Sequence, residues 1–305
     1  MRLSVLALDY DGTIAHGDRL DPSVLDAIAA ARTRGITVVL VTGRIPSEPR
    51  RVSGGLHFVD AVVAENGGVV HFPDSGHVSV LAPLVPKAFI ALLEQHGIPF
   101  QVGQSLIDAD ANDAMRLLAG IHELELPLVL IFNRGRVMVL PQGVSKATGL
   151  QTALDMLRAS PRNALAVGDG ENDHELLRPA EVGVAVEWGS ASLQAAADLV
   201  ISGSGPADVA RFIIRAVEER RLPVPLRARR RVFRGHTEDG RELSLGVRGR
   251  NVLIAGDTKS GKSWLAGLFC EQLMLHGYCI CVPVTKGRGF VLGRTGGSHL
   301  SGRAR

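Results

Sequence analysis

Leu3-Ser4-Val5-Leu6-Ala7-Leu8-Asp9-Tyr10-Asp11-Gly12-Thr13 sets the reading of the chain. An apolar run long enough for a buried parallel strand ends in two carboxylates one residue apart, then a glycine and a hydroxyl. Open parallel sheets place their chemistry at the carboxyl ends of their strands, so Asp9 and Asp11 are expected to face a crevice. Carboxylates this close repel unless a cation lies between them. Mg²⁺ suits the position, because it takes one or two carboxylates while keeping water and phosphate oxygens. A strand ending in an Asp-Gly turn is also common in any protein, so this stretch alone leaves a structural turn open.

The 305 residues are 46% hydrophobic and 21% charged, which fits an α/β protein with a sizeable core and more than one domain. Three cysteines, two of them in Cys279-Ile280-Cys281, supply neither a disulfide framework nor a four-ligand metal spacing, and a reducing cytoplasm is the expected location. Asp9 interrupts the first apolar run too early for a signal peptide or membrane span, so no membrane partner is expected. The net charge of +3 is uneven: residues 1–222 carry −7 and residues 223–305 carry +10. An argument for nucleic acid therefore applies only to the arginine-rich segment, which lacks interleaved aromatics and reads as a solvated linker.

Outward from the first strand, Asp21-Pro22 reads as an N-cap and first helical residue, with Val24, Leu25, Ile28 and Ala31 as the apolar face of a crossover helix up to Gly35. Strands at Ile36–Val41 and Ala61–Ala64 end in Thr42-Gly43-Arg44 and Glu65-Asn66-Gly67-Gly68. Between Leu81 and Gln142 the rhythm changes to an inserted α+β segment. It has helices at Lys87–His96 and Asp110–His122, an extended stretch at Ile98–Val102, a hairpin around Asn133-Arg134-Gly135, and no catalytic-looking strand end. The parent rhythm resumes with a helix at Lys146–Leu157, a strand at Ala164–Val167, Gly168-Asp169-Gly170-Glu171-Asn172-Asp173, and further strands at Val182–Val186 and Leu199–Ile201. The expected fold is thus α/β, a doubly wound Rossmann-like parallel sheet with a small α+β cap.

The ordered set Asp9/Asp11, Thr42-Gly43, Lys146 and Asp169 with Asp173 resembles the four motifs of the haloacid dehalogenase superfamily of phosphohydrolases. The resemblance covers about residues 1–220. The position of the insert, and Glu65-Asn66-Gly67, are similar to the Cof-type, C2B-capped branch, and the short cap is like that of small sugar-phosphate and phosphoglycolate phosphatases. It implies a Mg²⁺-dependent phosphomonoesterase acting on a small phosphorylated metabolite through an aspartyl-phosphate. Asp9 would be the nucleophile and Asp11 the acid and base. Thr42, Gly43, Lys146 and Asn172 would bind phosphate. Asp9, the Asp11 carbonyl, Asp169 and Asp173 would form the metal site. A phosphomutase could run on the same intermediate, transferring it to a sugar hydroxyl.

Leu222-Pro223-Val224-Pro225 breaks the last helix of that domain. The expected domains are 1–222 (core 1–80 and 143–222, cap about 81–142), a basic linker 223–250, a partial P-loop segment 251–285, and a disordered Gly/Arg-rich tail 286–305. Gly256, Gly261, Lys262 and Ser263 satisfy the Walker A spacing, expected between a strand at Asn251–Ala255 and an apolar helix to His276, and could cradle ATP or GTP phosphates. After Asp257 the only acidic residue is Glu271, inside that helix, so no second metal-binding acid follows and ATP hydrolysis is not expected. A nucleotide-responsive regulatory module using this loop is the competing reading from a different class.

Overall fold

A computed structural model describes residues 1–16, 19–45, 56–224, 231–247 and 252–282, with four short strand segments beyond. The chain divides into two units, Met1–Pro223 and Val224–Arg305.

The first unit is built on β1 (Val5–Asp9), every residue of which is buried. After it come α1 (Pro22–Thr33), β2 (Thr37–Val41), β3 (Ala61–Ala64), β4 (Val69–Phe72) and β5 (His77–Val80). Asp21 caps α1 as expected, its carboxylate accepting the Ser23 amide at 2.9 Å. The helix buries Val24, Ala27, Ile28 and Ala31, whereas Leu25, expected on that face, is exposed.

The cap consists of α2 (Lys87–Gln95), β6 (Phe100–Val102), β7 (Ile107–Asp110), α3 (Ala114–Glu123), β8 (Leu128–Asn133) and β9 (Arg136–Pro141). The core resumes with α4 (Lys146–Met156), β10 (Ala164–Gly168), α5 (Asp173–Leu177), β11 (Val182–Val186), α6 (Ala191–Ala196), β12 (Leu199–Ile201) and α7 (Pro206–Glu219).

The core sheet has the order β12-β11-β10-β1-β2-β3-β4-β5, so β1 lies between β10 and β2 in parallel register, with Leu8 opposite Val167 and Leu40. Alternate β1 residues feed opposite faces: Leu6 and Leu8 pack with α1 and α7, Val5 and Ala7 with Leu150, Leu154 and Leu176 of α4 and α5. Burial on both faces is why the strand is continuously apolar and why its first charge falls at its end. The sheet is parallel through β3, but β4 and β5 turn back antiparallel, a pair to which the sequence reading assigns no element. Val69 and Val70 are fully buried there, yet the run is short and polar at its far end.

The cap folds as a four-stranded antiparallel sheet, β8-β9-β7-β6, over its own cluster of Phe89, Leu93, Ile107, Leu117 and Val139. Strand β7 is absent from the sequence reading because the alternating Ile107-Asp108-Ala109-Asp110 looks like a polar helix start.

The second unit departs from expectation. The basic linker 223–250 contains an antiparallel hairpin, β13 (Arg231–His236) with β14 (Glu242–Gly246). Residues 225–230 and 248–251, with Arg227, Arg229 and Arg230, lie outside the described residues. The strand expected at Asn251–Ala255 does not form: residues 252–257 belong to no ladder, and Leu253 is 91% exposed. The helix after the glycine loop does form, as α8 (Lys262–Leu275), followed by β15 (Ile280–Val282). Lys262 Nζ donates to the loop's own Gly256 carbonyl at 2.8 Å, and to that of Asp257, rather than projecting free of it. A phosphate loop needs its strand to present the backbone amides, and that support is missing here. Much of the tail 286–305 lies outside the described residues; within it Phe290–Leu292 pairs with β15 and with Gly302–Arg303, where disorder was expected. No described helix is long and apolar enough to cross a membrane.

Candidate active site

Three parallel strands end at one edge and deliver the chemistry: β1 brings Asp9, β2 brings Thr42 and Gly43, β10 brings Asp169. Two helix starts complete the set. Ser145 caps α4, accepting the Thr148 amide while Thr148 Oγ1 accepts the Ser145 amide, and this fixes Lys146 as the first helical residue. Asp173 opens α5.

Lys146 is 1% exposed, and its ammonium donates to Asp9 Oδ1 and Asp173 Oδ1, both at 2.6 Å. The other Asp173 oxygen accepts the Asp169 and Gly170 amides at 2.9 Å. Asp173 therefore holds the β10 turn and the lysine in place. Thr13 Oγ1 spans Asp9 Oδ2 at 3.2 Å and Asp169 Oδ1 at 3.3 Å. Thr13 and Arg44 are site residues to which the sequence reading gives no role; the position of Thr13 two residues after Asp11 was the available signal.

Electrostatically the buried cluster sets three carboxylates against one buried ammonium. Burial, then the charge of Asp173, pushes the Asp9 carboxyl well above the ordinary carboxylate value, and Lys146 offsets this only in part. Asp169 is also raised, by burial and by Asp173, against the opposing pull of Arg134 and Lys146. Burial works to lower the Lys146 pKa, but the charges of Asp173 and Asp9 outweigh it and hold the ammonium above its ordinary value. Ligand oxygens of Asp9, Asp169 and Asp173 lie within 4.8 Å of one another. Three hard oxygen donors facing one buried ammonium fit a divalent cation such as Mg²⁺.

Other expected residues divide. Asp11 lines the cavity, but its carboxylate is gripped by Arg44, whose Nε lies 2.8 and 3.1 Å from its two oxygens, and it stands apart from the acidic cluster. Gly43 lines the cavity, and a side chain there would press on Met138 Sδ. Thr42 is fully buried, and its hydroxyl accepts the Arg44 amide at 3.1 Å, so it braces this turn. Asn172 is buried, with its amide 3.4 Å from Asn66 Oδ1.

The turn Glu65-Asn66-Gly67 is more than a simple bend. The buried Glu65 carboxylate accepts the Gln104 amide at 2.9 Å and the Ser105 amide at 2.7 Å, tying the core to the cap. The cap also brings polar groups to the site, from a hairpin in which the sequence shows no catalytic-looking strand end. Its β8–β9 turn places Arg134 on Asp169 and 3.4 Å from the Asp11 carbonyl. Asp108, Asn133 and Arg136 wall the same cavity, of about 250 Å³, that opens onto Asp9 and Lys146.

Residues 6–106 and 98–213 match the family described as haloacid dehalogenase-like hydrolase. The phosphoglycolate phosphatase of Natronomonas pharaonis is 34% identical over 211 residues, which cover 65% of this chain and 91% of that one. That of Methanopyrus kandleri is 28% identical over 229 residues, 71% of this chain and 98% of that one. In three dimensions a sugar phosphatase of haloacid dehalogenase subclass IIB has a similar fold, with TM-score 0.58, 18% identity, and coverage of 71% of this chain and 98% of the other. A haloacid dehalogenase-like hydrolase from B. subtilis superimposes with TM-score 0.59 at 20% identity, covering 69% and 99%. With the matched residues spanning both the core and the cap around this buried acid–lysine cluster, the chain belongs to the haloacid dehalogenase-like hydrolases.

Proposed function

We propose that this chain is a Mg²⁺-dependent phosphatase that hydrolyses a small phosphomonoester of the phosphoglycolate type through an aspartyl-phosphate on Asp9. The observation that carries the reading is the buried arrangement of Asp9, Lys146, Asp173 and Asp169 at one sheet edge, where a cavity of about 250 Å³ opens onto Asp9 and Lys146. The relatives named phosphoglycolate phosphatase support the substrate class.

In this mechanism Lys146 holds Asp9 Oδ1, which leaves Oδ2 as the attacking atom, steadied by Thr13. The Oδ2–phosphorus bond forms as the ester oxygen–phosphorus bond breaks, and the departing alkoxide takes a proton from Asp11. Water then attacks the phosphorus and gives a proton back to Asp11, freeing Asp9. Proton transfer of this kind is worth roughly 10²–10⁴-fold in rate. Both Asp11 oxygens face Arg44, so the carboxyl has to swing off that guanidinium to reach the leaving group. The Gly43 amide and the Lys146 ammonium supply positive potential for the phosphoryl oxygens. Mg²⁺ held by Asp9, the Asp11 carbonyl and Asp169 would neutralise and orient those oxygens when bound.

Phosphate release from 2-phosphoglycolate and from a panel of sugar phosphates, with Mg²⁺ and with EDTA, tests the reading. Metal-dependent release lost in Asp9→Asn is the expected result; release that persists in that variant sinks it.

A further inference from the structure

We propose that Arg134, at the tip of the cap hairpin, selects substrates that carry a carboxylate close to the phosphoryl group, and that it is freed for this task when a divalent cation takes over Asp169. The proposal rests on the phosphatase reading above and names the specificity element of that site.

Three arginines line the cavity: Arg44, Arg134 and Arg136. Two of them are held by carboxylates outside the buried acidic cluster. Arg44 chelates the Asp11 carboxylate, and Arg136 reaches Asp108 through Nη2 at 2.6 Å and Nε at 3.2 Å. Neither partner carboxylate belongs to that cluster, so both arginines stay matched while substrate binds, Arg44 letting go only as Asp11 swings to the leaving group, and an arginine matched to a protein carboxylate is a poor receptor for another.

Arg134 differs. Its Nη2 sits on Asp169, one of the three acids grouped to hold a cation, and 3.4 Å from the Asp11 carbonyl, which the proposed metal site adds. A guanidinium and a metal ion on the same carboxylate oxygen repel one another, so each weakens the other's hold by the same factor. Metal loading therefore turns Arg134, of these three arginines, into the one whose carboxylate has been claimed. Its planar fork suits a carboxylate, and it stands beside the place where the phosphoryl group meets Asp9.

The hinge is slight. Arg134 occupies a two-residue turn with φ +50°, and its side chain is 58% exposed, so it can swing without disturbing the cap cluster. Substrate then follows metal: before loading, Arg134 is spent on Asp169, and afterwards it faces the cavity.

The test uses the full chain as wild type, Arg134→Gln and Arg134→Lys. Titration calorimetry with MgCl₂ alone, without substrate, is expected to show Arg134→Gln binding Mg²⁺ about two- to fivefold more tightly, the range of a partly exposed ion pair. At saturating Mg²⁺, the ratio of kcat/KM for 2-phosphoglycolate over p-nitrophenyl phosphate is expected to fall about tenfold or more in Arg134→Gln, chiefly through KM, with partial recovery in Arg134→Lys.

Unchanged or weaker Mg²⁺ affinity in Arg134→Gln overturns the competition. An equal loss on both substrates overturns the specificity role. Wild type that cleaves p-nitrophenyl phosphate but not 2-phosphoglycolate overturns this proposal and the phosphoglycolate-type substrate while leaving the phosphatase chemistry on Asp9 standing, whereas cleavage of neither overturns all three.

Discussion

Lys146 is a cation almost wholly removed from water, and its two carboxylate partners make that tolerable. Taking the cation away leaves Asp9 and Asp173 facing one another in a buried site, so Lys146→Met is expected to cost about 3–5 kcal/mol of stability by urea unfolding in EDTA. Asp169 behaves oppositely. Its pKa is raised above 3.8 in the folded chain, so the folded state binds protons more tightly than the unfolded one, and the stability of the metal-free protein falls as pH rises through that window. Asp169→Asn is therefore expected to raise the melting temperature in EDTA, more at neutral pH than in acid, and to abolish stabilisation by Mg²⁺. A scan in which this variant melts lower than wild type at every pH contradicts that account.

At the scale of elements, the site depends on how α4 seats against the turn after β3. Gly67 has φ +108°, and a Cβ there would overlap the Ser145 carbonyl; a Cβ at Gly149 would run into the Gly67 backbone and Val63. This glycine-on-glycine approach lets the start of α4 reach the sheet edge and bring Lys146 to Asp9. Gly149→Ala is expected to destabilise by about 1–3 kcal/mol, read as a lower urea midpoint, with a larger loss in kcat than in KM as Lys146 is pushed off Asp9. Glu65 acts between core and cap. Glu65→Ala leaves two backbone amides without their acceptor, and hydrogen exchange at Gln104 and Ser105 is expected to accelerate while exchange in β1 stays slow.

At the scale of the whole molecule, the boundary at Pro223 separates the family-matched unit from the one with the glycine loop. The fragment 1–223 keeps Leu222 buried and its amide bonded to the Met1 carbonyl at 3.0 Å, closing the unit on itself. It is expected to fold and to show the same Mg²⁺-dependent phosphatase activity as the full chain. A change in activity or in its response to ATP on truncation would restore the regulatory reading of the glycine loop.

Much of the first unit is legible in the chain because its determinants are local. Strands buried on both faces must be apolar throughout, so the charges at Asp9 and Asp169 could fall only at their ends, and N-caps such as Asp21 announce the helices. The glycine loop at Gly256 misleads for the same reason: the spacing is local, but a phosphate loop also needs a paired strand behind it, and residues 252–257 have none. The grip of Arg44 on Asp11, the tether from Glu65 to the cap and the placement of Arg134 over Asp169 join residues 33, 39 and 35 positions apart. No periodicity records such pairs, because they follow from where the cap hairpin and the sheet edge meet in space. Read as a sequence, the chain specifies the parallel strands and the charges at their ends, and the family resemblance adds Lys146 to those acids; which arginine stands over which carboxylate came only with folding, because opposite charges choose partners by distance in space, not by spacing along the chain.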